Sequence, residues 1–437
     1  MIARLPLVLA AALVLDSALL AAAPPLPVWK HLSSSRGELP VPSNGTQQTA
    51  AVVFDIDGDS IPDIVVAERT AAPAITWLRH TKQGWVRYVI DAAQQRPEAG
   101  GLSFDVDGDG DLDLIIGGDG KSDEMWWYEN PAPNFAVEVP WRRRTIKKGG
   151  GNAHHDQAIA DFKGTGKPQL MFWNQKANKI LLAEFPADVR AEITWPIVEV
   201  FDSSKVPAKN KQEGMAVHDV DGDGRPDLIA GNHWFKHRGG NKFQPVRICD
   251  EPGRIAAGRF KPGKFPQLVV APGDVNGPLL LLECEGGDPL EPKSWVKRDL
   301  LGRTVVHGHS LQLGDVNGDG HLDIFAGEMA KWERTDVPAD HPGARGWILY
   351  GDGRGNFTPT VFAIGFGFHE ARLADVNGDG RLDLVNKPYT WQAPRIDLWL
   401  NQGNQPGADG FAGKFEYPAT PATVDGSVSD TLKAIRR

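Results

Sequence analysis

Short apolar runs, each broken by an acidic turn, recur along most of the chain. Ala51 to Phe54 and Ile64 to Ala67 flank the stretch Asp55 to Asp63, and the same arrangement returns at Asp105, Asp219, Asp315 and Asp375. Two degenerate copies begin at Asp161 and Arg259, so the seven starts are spaced by 50, 56, 58, 40, 56 and 60 residues. Runs this short, bounded by Gly- and Asp-rich turns, predict strand, tight loop, strand. About two further strands fit each interval, giving a four-stranded unit repeated along the chain. Seven such sheets in an open row would expose edges and apolar faces. Radial closure removes both, so the predicted fold class is all-β: one seven-bladed β-propeller over residues 24–437. The segments 28–49 and 415–424 are the candidates for closing the ring.

The first 23 residues read differently. Arg4 precedes a Leu-, Val- and Ala-rich run that ends in Ala21, Ala22 and Ala23, the pattern of a signal peptide. The mature chain is therefore expected to be exported, periplasmic or extracellular, with no further segment suited to membrane insertion. Gly (49) and Pro (33) make up almost one residue in five, which favours many turns over a helical bundle. The formal charge of −9 argues against nucleic acid as a partner. Two cysteines exclude a disulfide scaffold; Cys249 and Cys284 either pair or remain buried thiols.

The acidic loops carry a specific chemistry. Oxygen donors fall at positions 1, 3, 5 and 9 in Asp55, Asp57, Asp59 and Asp63, in Asp105, Asp107, Asp109 and Asp113, and in Asp219, Asp221, Asp223 and Asp227. Asp315, Asn317, Asp319 and Asp323, and Asp375, Asn377, Asp379 and Asp383, replace position 3 with Asn. Intervening glycines allow a tight turn, and hard oxygen donors in such a turn suit Ca²⁺. Five ions, structural in role, would offset the net charge. The Asp161 and Arg259 copies lack these donors and are expected to stay empty. This repeat resembles the FG-GAP or VCBS family of calcium-binding propellers, which includes the integrin α head. The resemblance implies calcium loops on one face, joining the first two strands of each blade.

A second register points to a site. The residues six before each motif are Thr49, Ala99, His155, Glu213, Gly253, His309 and His369. In a propeller this level is the start of the innermost strand, about 20 Å from the loops. The ends of the second strands contribute Glu68, Asp119, Asn174, Asn232 with His233, Glu328 and Lys387; Trp234, Trp332, Tyr389 and Trp391 follow closely and are candidates to stack on sugar rings. His154, Asp156, His307, Glu370 and Arg372 lie alongside. His155, Glu213, His309 and His369 would make a site for Zn²⁺ or a similar divalent ion, or an acid–base cluster without metal.

Four segments around these residues are similar to the propeller of aldos-2-ulose dehydratases: Gly150 to Asp156, Gln212 to Met215, Val306 to Ser310, and Gly367 to Glu370. Those enzymes eliminate water from keto-sugars, and this chain lacks the two cupin domains that follow their propeller. The resemblance implies an exported lyase or dehydratase acting on a keto-sugar or glycoside at a His-rich funnel. His154 or His307 would take the proton α to the carbonyl, and Lys387 or Arg372 would stabilise negative charge. The alternative is a non-enzymatic propeller that binds glycans or mediates adhesion.

Overall fold

Every acidic motif lies in the turn between the first two strands of a four-stranded antiparallel sheet, and seven such sheets surround one axis. The structure, a computed structural model, describes residues 25–191, 194–205, 213–251, 253–331 and 341–416. Blade 1 spans 48–91, blade 2 102–147, blade 3 157–202, blade 4 215–247, blade 5 254–299, blade 6 310–364 and blade 7 369–405. The first strand of each blade touches the first strand of the next, and that of blade 7 touches that of blade 1, so the ring is closed. The expected signal peptide lies outside the described residues. No helix among those residues is long and apolar enough to cross a membrane.

Closure comes from the N-terminal side. Leu26–Ser33 is the outer strand of blade 7, pairing antiparallel with Asp397–Gln405, while Gln48–Phe54 is the inner strand of blade 1. The two ends of the ring are thus held by one continuous segment. The C-terminal tail does not share this task. Gly413–Lys414 adds a short parallel strand to the outer edge of blade 6, and Phe415 packs on Phe366. The remainder of the expected closing tail, 417–424, lies outside the described residues.

The core sits between blades. A sheet stacked on both sides buries both faces of its middle strands, so these read as continuous apolar runs instead of alternating ones. In blade 1, Val65, Ile75 and Trp77 pack on Ile116, Trp126 and Tyr128 of blade 2. The opposite face, Ile64, Val66 and Leu78, packs on Val385 and Leu398 of blade 7. In the five complete motifs the ninth residue holds the loop shut: its carboxylate accepts the N–H of position 2, as from Ile56 to Asp63 at 3.1 Å and from Val316 to Asp323 at 2.9 Å.

A buried ion pair ties the closing strand to blade 7. Arg395 Nε donates to Asp397 at 2.7 Å, and the His31 ring contacts the same carboxylate at 3.0 Å. Burial opposes ionisation of Asp397, but Arg395 and His31 outweigh it and hold its carboxyl below the ordinary value. Asp397→Asn should cost about 3–5 kcal/mol in urea unfolding at neutral pH, because a buried guanidinium loses its counter-ion. The depressed carboxyl contributes stability above its unfolded pKa of about 4, so the penalty should shrink as pH falls below that value. A loss under about 1 kcal/mol, or one independent of pH, would contradict this.

Candidate functional site

The inner strands of blades 3, 4, 6 and 7 start with, or just after, His155, Glu213, His309 and His369, and all four side chains are buried at the axis. His155 Nε2 lies 3.8 Å and His309 Nε2 3.4 Å from the same Glu213 oxygen. The other Glu213 oxygen accepts the Asp274 N–H at 2.8 Å. Gly273 (φ +65°) makes room for it, since a Cβ there would stand 1.6 Å from that oxygen. Ligand atoms of His155, Glu213 and His309 all lie within 4.8 Å of one another.

Each of the two histidines has a carboxylate behind it. Asp156 meets His155 Nδ1 at 2.5 Å, and Glu370 lies 3.6 Å from His309 Nδ1. Asp156 (φ 44°) and Glu370 (φ 56°) both adopt the left-handed region, which costs about 1 kcal/mol or more for such residues and marks sites where structure overrules local preference. Arg254 joins the two acids, at 2.7 Å from Asp156 and 2.8 Å from Glu370. Burial disfavours charge on His155, but Asp156 and then Glu213 outweigh it and raise its pKa to about 9. Burial likewise works against the Glu370 carboxylate, yet Arg254 and Arg372 bring its pKa down to about 2.

His369 stands beside this group. Its ring stacks on His309 with centroids 4.4 Å apart, and its Nδ1 lies 2.7 Å from Lys387 Nζ. The same Nζ donates to the carbonyls of Gln48 and Thr49 at 2.9 and 3.1 Å. Burial pushes the Lys387 ammonium pKa well down, and its Nζ has three polar partners in the two carbonyls and His369 Nδ1.

A cavity of about 150 Å³ opens over these rings, lined also by Arg69, Glu98, Gln175, Asp274, Lys331 and Tyr389. Arg69 donates to Glu98 at 3.0 Å and lies over the Tyr389 ring. The register of strand starts does not reach Arg69, Glu98, Asp274, Lys331 or Arg254. They belong to loops or sit one position off the register, and only their closeness to Glu68, Ala99, Trp332 and Gly253 in sequence hints at them. In blade 5 the register position is Gly253, whose Cβ would stand 1.9 Å from the Ala271 carbonyl, so Arg254 supplies that blade's charge.

Several expected site residues lie elsewhere. Trp234 is fully buried between blades and donates to the Pro289 carbonyl at 3.1 Å, so it has no face for a sugar. Trp391 packs on Ala330 and Ala344, and Trp332 lies outside the described residues. Asn174 caps the turn that follows it, accepting the Ala177 N–H at 3.3 Å. Asn232 donates to the Cys249 carbonyl at 3.3 Å, and His233 packs on Phe201, where burial and Arg247 lower its pKa to about 4. Glu328 accepts the N–H groups of Val306 and Arg345, each at 2.9 Å. Second strands end in turns whose buried backbone groups need partners: Asn174 and Glu328 accept N–H groups there, and Asn232 donates to a carbonyl. His154 is buried against Gly118, its pKa lowered to about 3 by burial and Lys147; His307 contacts the Asp274 carbonyl at 2.8 Å. Neither lines the cavity, and nor do Lys387 and Arg372, the latter pairing with Glu370 at 2.6 Å.

Residues 315–385 match the FG-GAP-like repeat family. That stretch covers the acidic loop of blade 6, the inner strand of blade 7 with His369, and the acidic loop of blade 7. No curated protein matches the sequence. Two solved structures are similar over most of the chain. BBS1N, crystallised in complex with ARL6DN and soaked with mercury, is 10% identical, with 87% of this chain and 99% of that chain covered and a TM-score of 0.47. YCF48 from Cyanidioschyzon merolae is 9% identical, with 85% and 98% covered and a TM-score of 0.46.

The two acids under the histidines depend on one guanidinium. Arg254→Met should lower stability by about 3–5 kcal/mol by stranding buried carboxylates. Adding Asp156→Asn should recover part of that loss. Equal unfolding midpoints for the single and double variants would contradict this wiring.

Proposed function

We propose that the chain is an exported, metal-assisted carbon–oxygen lyase that eliminates water or a glycosyl group from a small keto-sugar or glycoside in the axial cavity. The observation that carries this is the meeting of His155, Glu213 and His309. His155 Nδ1 is held by Asp156, and its Nε2 and that of His309 converge on one Glu213 oxygen. Without an ion the flanking acids favour a proton on His155; a divalent cation would replace that proton and take the freed Nε2 lone pair. His309 Nδ1 is buried 3.6 Å from Glu370 Oε1, which Arg254 holds at 2.8 Å, so the acid backs the ring from the side away from Glu213. Two imidazoles and a carboxylate, with the imidazoles backed by acids, suit Zn²⁺ or a similar divalent ion. Such an ion would supply Lewis acidity to a substrate carbonyl.

The chain's own groups account for the rest. Glu98 and Asp274 are the carboxylates on the cavity wall within reach of a C–H proton α to that carbonyl. Arg69 and Lys331 bring positive charge to the same wall and orient sugar oxygens. His369, whose Nδ1 meets Lys387, lines the cavity and would hydrogen-bond the departing oxygen, the leaving group's proton coming from the carboxylic acid formed when Glu98 or Asp274 takes the α proton. Lys387 and Arg254 are positioning residues: one holds the His369 ring at Nδ1 and the other holds the two backing acids.

His155→Ala and His309→Ala should each lose a tightly bound transition metal and at least 100-fold of the turnover on 3-keto-glycosides, read from enone absorbance. Metal retained with turnover lost would assign an acid–base role instead. Unchanged turnover in both folded variants would remove the lyase reading, and glycan binding without elimination by the wild type would replace it with the carbohydrate-binding one.

We also assign Ca²⁺ to the acidic loops, as a structural ion. In blades 1, 2 and 4 three carboxylates each place an oxygen within 4.8 Å of the others, as Asp105, Asp107 and Asp113 do. An ion at 100 times its dissociation constant adds about 2.7 kcal/mol per site. Chelation should therefore lower the melting temperature by several degrees, reversed by added Ca²⁺; an unchanged melt would contradict the assignment.

A further inference from the structure

Among the described residues, one sheet stands outside the seven blades. Asn276–Gly277, between the second and third strands of blade 5, pairs antiparallel with Val305–Val306, which leads into the inner strand of blade 6. Blade stacking does not call for this two-residue ribbon. Its effect is to tie the turn at 272–275 to the segment that carries His307 and His309.

The turn is fixed from both neighbours. The Gly273 N–H donates to the Gly308 carbonyl at 3.1 Å, and the His307 N–H to the Val275 carbonyl at 3.1 Å. The Asp274 carbonyl meets the His307 ring at 2.8 Å, while the Asp274 N–H donates to Glu213 of blade 4 at 2.8 Å. The main chain of this one residue therefore bridges the carboxylate that faces both imidazoles and the segment that leads to His309. Its side chain lines the axial cavity and is 43% exposed, with Lys331 Nζ at 3.6 Å, outside hydrogen-bond range.

Glu98, the other acid on the cavity wall, is placed differently. Its Oε1 accepts Arg69 Nη2 at 3.0 Å and the Ala99 N–H at 3.1 Å, and its side chain is only 11% exposed. Arg69 also reaches Asp119 at 3.5 Å and lies over the Tyr389 ring. A proton taken by Glu98 would weaken a charge-assisted hydrogen bond and leave a nearly buried guanidinium with less counter-charge.

We infer that Asp274 is the base that takes the proton α to the carbonyl, and that Glu98 is a positioning residue for Arg69. This rests on the lyase reading of the axial cavity. As the α C–H bond breaks, an O–H bond forms on the Asp274 carboxylate, and the electron pair becomes the C=C bond of an enolate. The C=O bond then re-forms, the pair moves to a new α,β double bond, and the β C–O bond breaks. The proton on Asp274 passes to the departing oxygen. Water or a sugar alcohol leaves, an enone remains, and Asp274 is again a carboxylate; no oxidant or reductant is consumed. The ribbon serves this step by fixing the base through its backbone, beside the carbonyl-binding groups.

Asp274→Asn and Glu98→Gln in the full mature chain, with a 3-keto-glycoside as substrate, test the assignment. The Asp274 main chain, not its side chain, holds Glu213, so Asp274→Asn should keep the wild-type melting temperature and bound metal. Its kcat should fall at least about 1,000-fold with KM within about 3-fold, and exchange of the α hydrogen with solvent deuterium should stop. Formate should return at least about 10-fold of the lost rate to Asp274→Ala. Glu98→Gln should raise KM and keep kcat within about 10-fold of the wild type. The reverse pattern, equal losses in both, or metal loss from Asp274→Asn would overturn the assignment. Full turnover by Asp274→Asn would overturn it and leave the lyase reading standing. A wild type without elimination or α-hydrogen exchange would remove the lyase reading, and this assignment with it.

Discussion

A sheet buried on both faces has to find a neighbour on each side, and seven of them find one only by closing around an axis. That constraint fixes almost everything else in this chain. It makes the middle strands continuous apolar runs, gathers seven first strands side by side, and puts the starts of those strands within reach of one another. Polar residues at such starts cannot face water or an apolar neighbour. They face each other, and the cost of burying them is met by pairing. Arg254 between Asp156 and Glu370, and Lys387 against two carbonyls and His369, are the outcome.

The same closure separates two kinds of charge. At one end of the inner strands lie the acidic loops, whose aspartates organise the turn through the chain's own N–H groups. At the other end lie His155, Glu213 and His309, backed by acids held in left-handed backbone. A strand of about six residues keeps the two roughly 20 Å apart. An ion in a loop therefore acts on the stability of a blade, whereas chemistry at the axis depends on the axial groups alone.

The fold was legible because the motif repeats with its ninth residue in place: Asp63, Asp113, Asp227, Asp323 and Asp383 make the same hydrogen bond, Gln267 keeps it, and Gln169 accepts the next N–H along the loop, that of Lys163. The axial cluster was legible from register, since His155, His309 and Glu213 share one level of the repeat. His369 shares that level too, but Lys387 takes its Nδ1, and only its Nε2 is left toward the cavity. Pairing of that kind is not encoded in spacing. Trp234 shows the opposite failure. Its place after a strand end suggested an open ring, yet blade-to-blade packing gives it no exposed face. Arg69, Glu98 and Lys331 come from loops, where no periodicity marks direction. The tail at 413–415 turned to blade 6 because Leu26–Ser33 had already taken the outer edge of blade 7.

The central claim is that the axis holds a divalent ion between His155, Glu213 and His309. Crystals of the protein purified without chelator, measured on both sides of the zinc absorption edge, test it most directly. The account predicts one anomalous peak about 2.0–2.2 Å from His155 Nε2, His309 Nε2 and a Glu213 oxygen. An axis without that peak, with His155 Nε2 hydrogen-bonded directly to Glu213, would contradict it.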